Sequence, residues 1–256
     1  MSITTKEQIL KVLRAFNPWW STGAVHPDFS KHYRRFAYYD AMQRLDQTDL
    51  RRTVVLTGAR RVGKTTVQYQ MIDTLLKRGV SPQKIVFISL DHPMLKLSGF
   101  SDILECYHEN VYAFHDCYYF FDEIQYATDW DKWMKSIYDL QPSTHMVATG
   151  SASPALVRGS SESGAGRWSV IQVPTLSFFE YCALTGVSVS DLGPDIRPIS
   201  FAHMTQQERT AVMMKLEPLQ NHFMRYLRVG GFPELALASN DLMAQQIMRE
   251  DVVDRY

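Results

Sequence analysis

The sequence has few cysteines, modest amounts of glycine and proline, and no long hydrophobic run. Its three cysteines, Cys106, Cys117 and Cys182, are an odd number without a CxxC pair, which argues against a disulfide framework or a cysteine zinc site and favours a reducing compartment. The 13 Gly and 11 Pro among 256 residues exclude a fibrous repeat. No apolar stretch approaches the roughly 20 residues that span a bilayer, and residues 1–8 lack a signal-peptide core. We therefore expect a soluble cytoplasmic protein that does not contact membranes.

The sequence also lacks an excess of either charge. Its 27 Lys and Arg residues balance 27 Asp and Glu residues, so overall charge does not predict attraction to nucleic acid or to an anionic membrane. Local pairs such as Arg34 with Arg35, and Arg51 with Arg52, leave a nucleic-acid effector open. What the sequence does have is 45% hydrophobic residues over a length that can bury a sizeable core. A globular protein of somewhat less than two average domains follows.

A leader, residues 1–50, precedes the main body of the chain. Thr4 and Glu7 form a capping-box pattern ahead of an amphipathic helix, and Asn17 with Pro18 ends that helix. Three aromatic residues then precede the first predicted strand: Trp19, Trp20 and Tyr33. Packing within the leader and stacking on a nucleotide base are both open for these rings.

From residue 51 the pattern changes to short apolar runs separated by helix-length amphipathic segments. Five runs predict strands, at residues 54–56, 85–88, 118–121, 146–148 and 170–173. This alternation is typical of a parallel sheet with crossover helices, and it predicts a three-layer α/β core over residues 51–185. Residues 186–256 lack a strand pattern and predict a small helical subdomain with a break at Pro218.

The first predicted strand leads directly into a GxxxxGK[ST] pattern. The loop and the residue after it are Gly58, Ala59, Arg60, Arg61, Val62, Gly63, Lys64, Thr65 and Thr66. Such a loop between a strand and a helix turns backbone N–H groups and the positive helix end toward phosphate oxygens. The motif predicts that Lys64 contacts the β- and γ-phosphates and that the Thr65 hydroxyl coordinates Mg²⁺. Arg60 and Arg61 either contact phosphate or point outward.

A second motif, an acid pair, ends the strand predicted at 118–121. Asp122 and Glu123 stand there, at the edge of a parallel sheet where ligands bind. Asp122 is predicted to face the Mg²⁺ held by Thr65, through water. Glu123 is predicted to orient or deprotonate a water that attacks the γ-phosphate. Since the sequence has no guanine-reading [NT]KxD motif, the nucleotide is expected to be ATP.

Three further residues are candidates for contacts with the γ-phosphate. Thr149 and Ser151 follow the fourth predicted strand, and either hydroxyl can fill a sensor role there or belong to a polar turn. Arg167 follows the Ser- and Gly-rich stretch at residues 159–166. A guanidinium from such a loop, or from a neighbouring subunit, stabilises charge in a phosphoryl-transfer transition state, although a surface position is equally compatible with the sequence.

Several stretches share the pattern of one known family. They are Asn17-Pro18-Trp19-Trp20, the GxxxxGK[ST] loop (the P-loop) with its two arginines, Phe121-Asp122-Glu123-Ile124-Gln125, Trp130, Thr149-Gly150-Ser151, Ala165-Gly166-Arg167, Leu176-Ser177-Phe178 to Glu180, and Gly230-Gly231-Phe232-Pro233-Glu234. Together they resemble the prokaryotic AAA-type ATPases that carry a further, restriction-endonuclease-like C-terminal domain. The resemblance implies ATP hydrolysis, a sheet of order 5-1-4-3-2 and a C-terminal helical lid. Because the chain stops at Tyr256 within an amphipathic pattern, we expect the further domain to be missing.

The sequence thus predicts a Mg²⁺-dependent ATPase module, in which the nucleotide state changes the conformation of the lid and of a downstream domain. Two alternatives stay open. One is a nucleotide-binding scaffold that does not hydrolyse, and the other is a motor stimulated by nucleic acid. ATP is the predicted ligand, a homo-oligomer is a possible assembly, and the effector, whether protein or nucleic acid, is not identified.

Overall fold

The computed structural model describes residues 4–47, 49–151, 166–189 and 198–250. The chain divides into two units, Met1–Pro174 and Thr175–Tyr256. The predicted leader is part of the first unit, and the second unit begins earlier than the predicted boundary at residue 186. The Ser- and Gly-rich stretch lies outside the described residues, except for Gly166.

The first unit is built on a five-stranded sheet. Its strands are β1 (Thr53–Gly58), β2 (Ile85–Ser89), β3 (Tyr118–Asp122), β4 (His145–Ser151) and β5 (Trp168–Gln172). Their order is β2-β3-β4-β1-β5, and the four strand pairs are all parallel. This is the predicted order read from the opposite edge, so the α/β fold class and the strand order are confirmed.

Burial explains why these segments form strands. Every residue of β1 and β2 is buried, and in β3 only Tyr118 is partly exposed. Strands that are covered on both faces need near-continuous apolar runs, which is what the sequence offers. The helices of this unit are α1 (Lys6–Phe16), α2 (Trp19–Thr22), α3 (Phe36–Leu45), α4 (Lys64–Lys77), α5 (Pro93–Lys96), α6 (Phe100–Asn110) and α7 (Trp130–Leu140).

The leader contributes the first three of these helices. Its capping box uses Thr5, whose hydroxyl accepts from the Gln8 N–H at 3.3 Å while the Gln8 side chain accepts from the Thr5 N–H at 3.0 Å. The predicted box of Thr4 and Glu7 is therefore wrong by one residue, because two overlapping stretches fit the same T-x-x-E/Q pattern. Helix α1 packs on α6 and β2, which makes the leader part of the core.

The Asn-Pro-Trp-Trp segment of the leader covers the edge strand β2. The Asn17 side chain accepts from the Phe87 N–H at 2.6 Å and donates to the Phe87 carbonyl at 2.8 Å. The indole N–H groups of Trp19 and Trp20 both donate to the Ile85 carbonyl, at 3.0 and 2.8 Å. Trp19 is fully buried, which favours packing within the leader over stacking on a nucleotide base. These side chains form hydrogen bonds with backbone groups of the edge strand β2 that would otherwise be unpaired.

The regular secondary structure among the described residues of the second unit is all helical. Its helices are α8 (Phe178–Thr185), α9 (Pro198–His203), α10 (Gln206–Leu216), α11 (Gln220–Val229), α12 (Pro233–Ala236) and α13 (Asp241–Met248). A 3₁₀ turn, Glu217–Leu219, separates α10 from α11 at the break predicted for Pro218. Within the parts of the chain that the structure describes, no helix is long and apolar enough to cross a bilayer.

The Gly-Gly-Phe-Pro-Glu segment, residues 230–234, is closely packed within the second unit. A Cβ at Gly231 would lie 2.7 Å from the Leu176 carbonyl oxygen, so a side chain there cannot be accommodated without movement of the backbone. Arg225 on α11 then holds the segment that follows, donating to the carbonyls of Ala236 and Ala238 at 2.9 and 2.6 Å. The glycine pair thus serves the packing of this unit.

Candidate functional site

The GxxxxGKT loop joins the carboxyl end of β1 to the first turn of α4. Gly58 ends the strand, and a Cβ on it would lie only 2.3 Å from the Val173 carbonyl oxygen. Arg61 and Gly63 both have left-handed backbones, with φ of 64° and 94°. Alternation of such conformations curves the chain so that successive N–H groups point into one concavity, which suits an anion. The loop therefore has the shape of a phosphate cradle at the N-terminus of a helix.

Lys64 lies inside this loop. Its side chain is buried, and its ammonium donates to the carbonyls of Gly58 and Ala59 at 3.0 and 2.9 Å. Burial lowers the pKa of Lys64, whereas the nearby carboxylates of Glu123 and Asp122 oppose that shift. A buried ammonium supported mainly by neutral carbonyls is only partly compensated, and the negative charge of a phosphate would complete its surroundings.

The Thr65 hydroxyl and the Asp122 carboxylate meet at the sheet edge. Thr65 Oγ1 donates to Asp122 Oδ1 at 2.9 Å, and Thr149 Oγ1 donates to the same oxygen at 2.6 Å. Burial raises the pKa of Asp122 to about 6, although both hydroxyl donors act to lower it. A nearby divalent cation would favour the charged carboxylate, and hydroxyl and carboxylate oxygens are the ligands that Mg²⁺ prefers. These residues therefore fit the predicted metal.

Glu123 occupies a strained position directly after the strand. Its backbone is left-handed, with φ of 52°, which costs a residue other than glycine roughly 1–3 kcal/mol and is common in active sites. The Glu123 N–H donates to Thr149 Oγ1 at 2.9 Å. Thr149 thereby fixes both acids at once, since the same hydroxyl donates to Asp122. Its predicted sensor role stays a prediction, because the structure places the hydroxyl between the two acids.

Gln125 is a site residue that the motif reading missed. Its amide nitrogen donates to Glu123 Oε2 and also contacts Ser151 Oγ at 3.3 Å. Its Oε1 is buried and accepts no hydrogen bond from a described residue. An orphaned buried acceptor next to a carboxylate is well suited to accept from a bound water. The signal was present in the sequence as a Gln two residues beyond the acid pair. The structure brings Ser151 to this amide.

The Arg60 side chain is exposed and makes its contact outside the loop. Arg60 donates to the Tyr126 hydroxyl at 2.8 Å, and the Lys96 ammonium lies 3.7 Å from the centroid of the same ring. Arg61 is exposed. Thr66 lines a cavity of about 500 Å³, and one wall of that cavity is formed by Thr65 and Asp122. Of the two predicted alternatives for Arg60, the structure favours the outward one.

Arg167 lies away from the loop. It immediately precedes β5, and its carbonyl accepts from the Thr53 N–H at 2.9 Å, at the amino end of β1. The phosphate loop follows the carboxyl end of that strand, a full strand length away. The guanidinium pairs with Asp139, with Nε 2.9 Å from Oδ1. The structure therefore does not bring Arg167 to the P-loop of its own chain, and contact with a neighbouring subunit stays a prediction.

The parallel sheet, the phosphate loop and the acid pair define a P-loop nucleotide-binding module. A sequence model of the AAA domain, AAA_14, matches residues 50–182, which is just over half of the chain. The chain therefore belongs to this AAA domain family, which confirms the resemblance to AAA-type proteins, and the further C-terminal domain stays a prediction.

Two curated relatives are similar over most of the chain, and both come from Methanocaldococcus jannaschii. The uncharacterized protein MJ1637 is 26% identical over 240 residues, covering 88% of this chain and 49% of the relative. The uncharacterized protein MJ1544 is 24% identical over 210 residues, covering 79% and 42%. The chain thus spans about half the length of the curated relatives it matches.

Three solved structures are similar to the chain at low sequence identity. A DNA replication initiation factor is 14% identical with a TM-score of 0.42, covering 80% of this chain and 69% of that chain. C. elegans PCH-2 is 13% identical with a TM-score of 0.39, covering 94% and 72%. AMPPCP-bound DnaA from Aquifex aeolicus is 13% identical with a TM-score of 0.43, covering 90% and 84%.

Proposed function

We propose that the protein binds ATP together with Mg²⁺ and hydrolyses it. The observation that carries the proposal is the 2.9 Å contact between Thr65 Oγ1 and Asp122 Oδ1. This contact joins Thr65, which follows Lys64 in the P-loop, to Asp122, the first residue of the acid pair. Two motifs that are distant in the sequence thereby form one set of oxygen ligands beside a cradle of backbone N–H groups, which is the arrangement that a metal–triphosphate complex requires.

Each residue has a distinct task in this proposal. The loop amides and Lys64 bind and orient the phosphates, so that the reacting groups are held in place before reaction. Thr65 and Asp122 would hold the metal, which would supply charge stabilisation for the transferring phosphoryl group. Glu123 orients a water molecule and accepts its proton, while Gln125 holds the Glu123 carboxylate in place. The Asp-Glu order suits water activation and so supports hydrolysis.

We also propose that the nucleotide state changes the conformation of the second unit and of any segment that follows it. The support is the direct passage of the chain from the strand end beside Gly58, through Val173 and Pro174, into Thr175. Loops that grip a γ-phosphate and relax after hydrolysis are a known way to drive such changes. The effector that uses the movement is not identified.

The requirement for metal tests the proposed function directly. Purified protein is mixed with ATP, and phosphate release is measured with Mg²⁺ and again with excess EDTA. We expect release with Mg²⁺ and none with EDTA, because Thr65 and Asp122 position the phosphates only through a cation. Equal release under both conditions, or release that Asp122→Asn does not reduce, would contradict the assignment.

Arg167 gives a separate prediction about assembly. We propose that it acts on the site of a neighbouring subunit in a homo-oligomer, and we expect Arg167→Ala to slow hydrolysis while nucleotide binding is kept. Mixing this variant with Lys64→Ala should restore part of the activity, since intact sites then meet intact arginines. Asp139→Asn serves as the matched control, because it removes the ion pair and keeps the guanidinium. No restoration on mixing counts against action between subunits.

A further inference from the structure

Arg35 in the leader reaches the back of the phosphate loop. Its side chain is buried, with 6% of its surface exposed. Its Nη1 donates to the Val62 carbonyl at 2.7 Å and to the Pro174 carbonyl at 2.9 Å. Charge-assisted bonds of this kind are shorter and stronger than those between neutral groups. One buried cation therefore joins three segments that are far apart in the sequence: the leader, the P-loop and the end of the first unit.

The bond to Val62 fixes the orientation of a loop amide. A trans peptide group is planar, and its carbonyl oxygen and N–H point in opposite directions. Because Arg35 holds the Val62 oxygen, the N–H of Gly63 in the same peptide group is directed away from Arg35. Val62 lies between the left-handed residues Arg61 and Gly63, after the end of β1 and before the start of α4.

The bond to Pro174 fixes a second peptide group. Pro174 is the last residue of the first unit, and its carbonyl shares a peptide plane with the N–H of Thr175, where the second unit begins. Val173, one residue earlier, donates to the Thr57 carbonyl at 2.7 Å, and its own carbonyl leaves no room for a Cβ on Gly58. The strand end and the P-loop are thus in direct contact beside the guanidinium.

We propose that Arg35 is a positioning residue for nucleotide binding: it orients the Gly63 amide toward the phosphates and makes the peptide that opens the second unit respond to occupancy of the loop. The inference rests on the proposed function, since it concerns the same nucleotide. It gives the leader a part in nucleotide binding, through a residue that belongs to neither the P-loop nor the acid pair. Arg35 touches none of the reacting atoms, so its loss affects affinity more than the chemical step.

The first test measures affinity and turnover separately. Arg35→Ala and Arg35→Lys are compared with Arg34→Ala, which removes the adjacent arginine, whose Nη2 contacts Thr74 on α4 at 3.3 Å. We expect Arg35→Ala to weaken binding of a fluorescent Mg²⁺–ATP analogue by about tenfold or more, since hydrogen bonds from charged groups contribute about 1.5–3 kcal/mol. The kcat at saturating ATP should stay within about twofold. Added guanidinium ion, well below denaturing concentrations, should restore affinity to Arg35→Ala.

The second test measures hydrogen exchange at the Thr175 amide. In the wild-type protein, the exchange rate of the Thr175 amide should change when the ATP analogue binds. In Arg35→Lys, the exchange rate of this amide should be the same without nucleotide and at saturating nucleotide. The wild-type measurement needs no variant, so poor folding of a variant does not prevent the test. Equal affinity in wild type and both Arg35 variants, an equal loss in Arg34→Ala, or a Thr175 amide indifferent to nucleotide in wild type overturns the inference. A wild-type protein that binds no nucleotide overturns the proposed function itself.

Discussion

Replacement of Lys64 by alanine is expected to abolish measurable binding of ATP. The Lys64 ammonium is buried and held by the carbonyls of Gly58 and Ala59, so it is already removed from water and directed into the loop. Each hydrogen bond from such a charged group to a phosphate oxygen contributes about 1.5–3 kcal/mol, and loss of two or more of these bonds lowers the affinity for ATP by about 100-fold or more. Titration of a fluorescent ATP analogue, followed by anisotropy, measures the effect.

Lys77 provides the matched control for this experiment. It stands on the same helix as Lys64 but at its far end, where its exposed ammonium pairs with Asp73 at 2.7 Å. Lys77→Ala removes the same charge from α4 and is expected to leave ATP affinity within about twofold, because exposed ion pairs contribute little. Retained affinity in Lys64→Ala, or an equal loss in both variants, would show that the loop is not the phosphate site.

Replacement of Glu123 by glutamine is expected to keep ATP binding and to stop hydrolysis. The amide has the size of the carboxylate but cannot accept a proton from water, and a general base contributes about 10²–10⁴-fold to rate. The contact with Thr149 is made by the Glu123 backbone N–H, so the substitution keeps it, and the amide oxygen of the new glutamine can still accept from Gln125. Phosphate release under single-turnover conditions, with binding measured in parallel, gives both quantities.

This second substitution also separates the two classes of function that the sequence left open. If wild type and Glu123→Gln release phosphate equally slowly, the protein is a nucleotide-binding scaffold. Glu109→Gln serves as the control. Glu109 is an exposed glutamate on α6, outside the nucleotide loop, and it pairs with Lys6 of α1 at 2.8 Å. A Glu109 variant that loses activity to the same extent would show that the loss reflects the fold.

Sequence patterns predicted the strands and both motifs because each depends on neighbouring residues. A strand that is covered on both faces needs a continuous apolar run, and a phosphate loop needs its glycines and lysine at fixed spacing. The strand order, by contrast, came from family resemblance, since periodicity does not specify which strands are neighbours. The position of Asp122 beside Thr65 then followed from parallel strands ending at a common edge.

The parts that the sequence did not predict depend on contacts between distant residues. Arg35 reaches Val62 and Pro174, and nothing in a local pattern distinguishes it from Arg34 beside it. Arg167 shows a different limit. Its position after a Ser- and Gly-rich stretch predicts a loop that reaches a phosphate, yet a residue just before a parallel strand lies at the amino edge of the sheet. The strand direction, applied to that residue, would have placed it correctly.

The side chains that cover β2 restrict how copies of this protein can join. Edge strands commonly recruit a strand from another chain through their free backbone groups. Here the outward N–H and C=O of Phe87, and the C=O of Ile85, are already taken by Asn17, Trp19 and Trp20. Addition of a strand from another copy is therefore blocked at these backbone groups of β2.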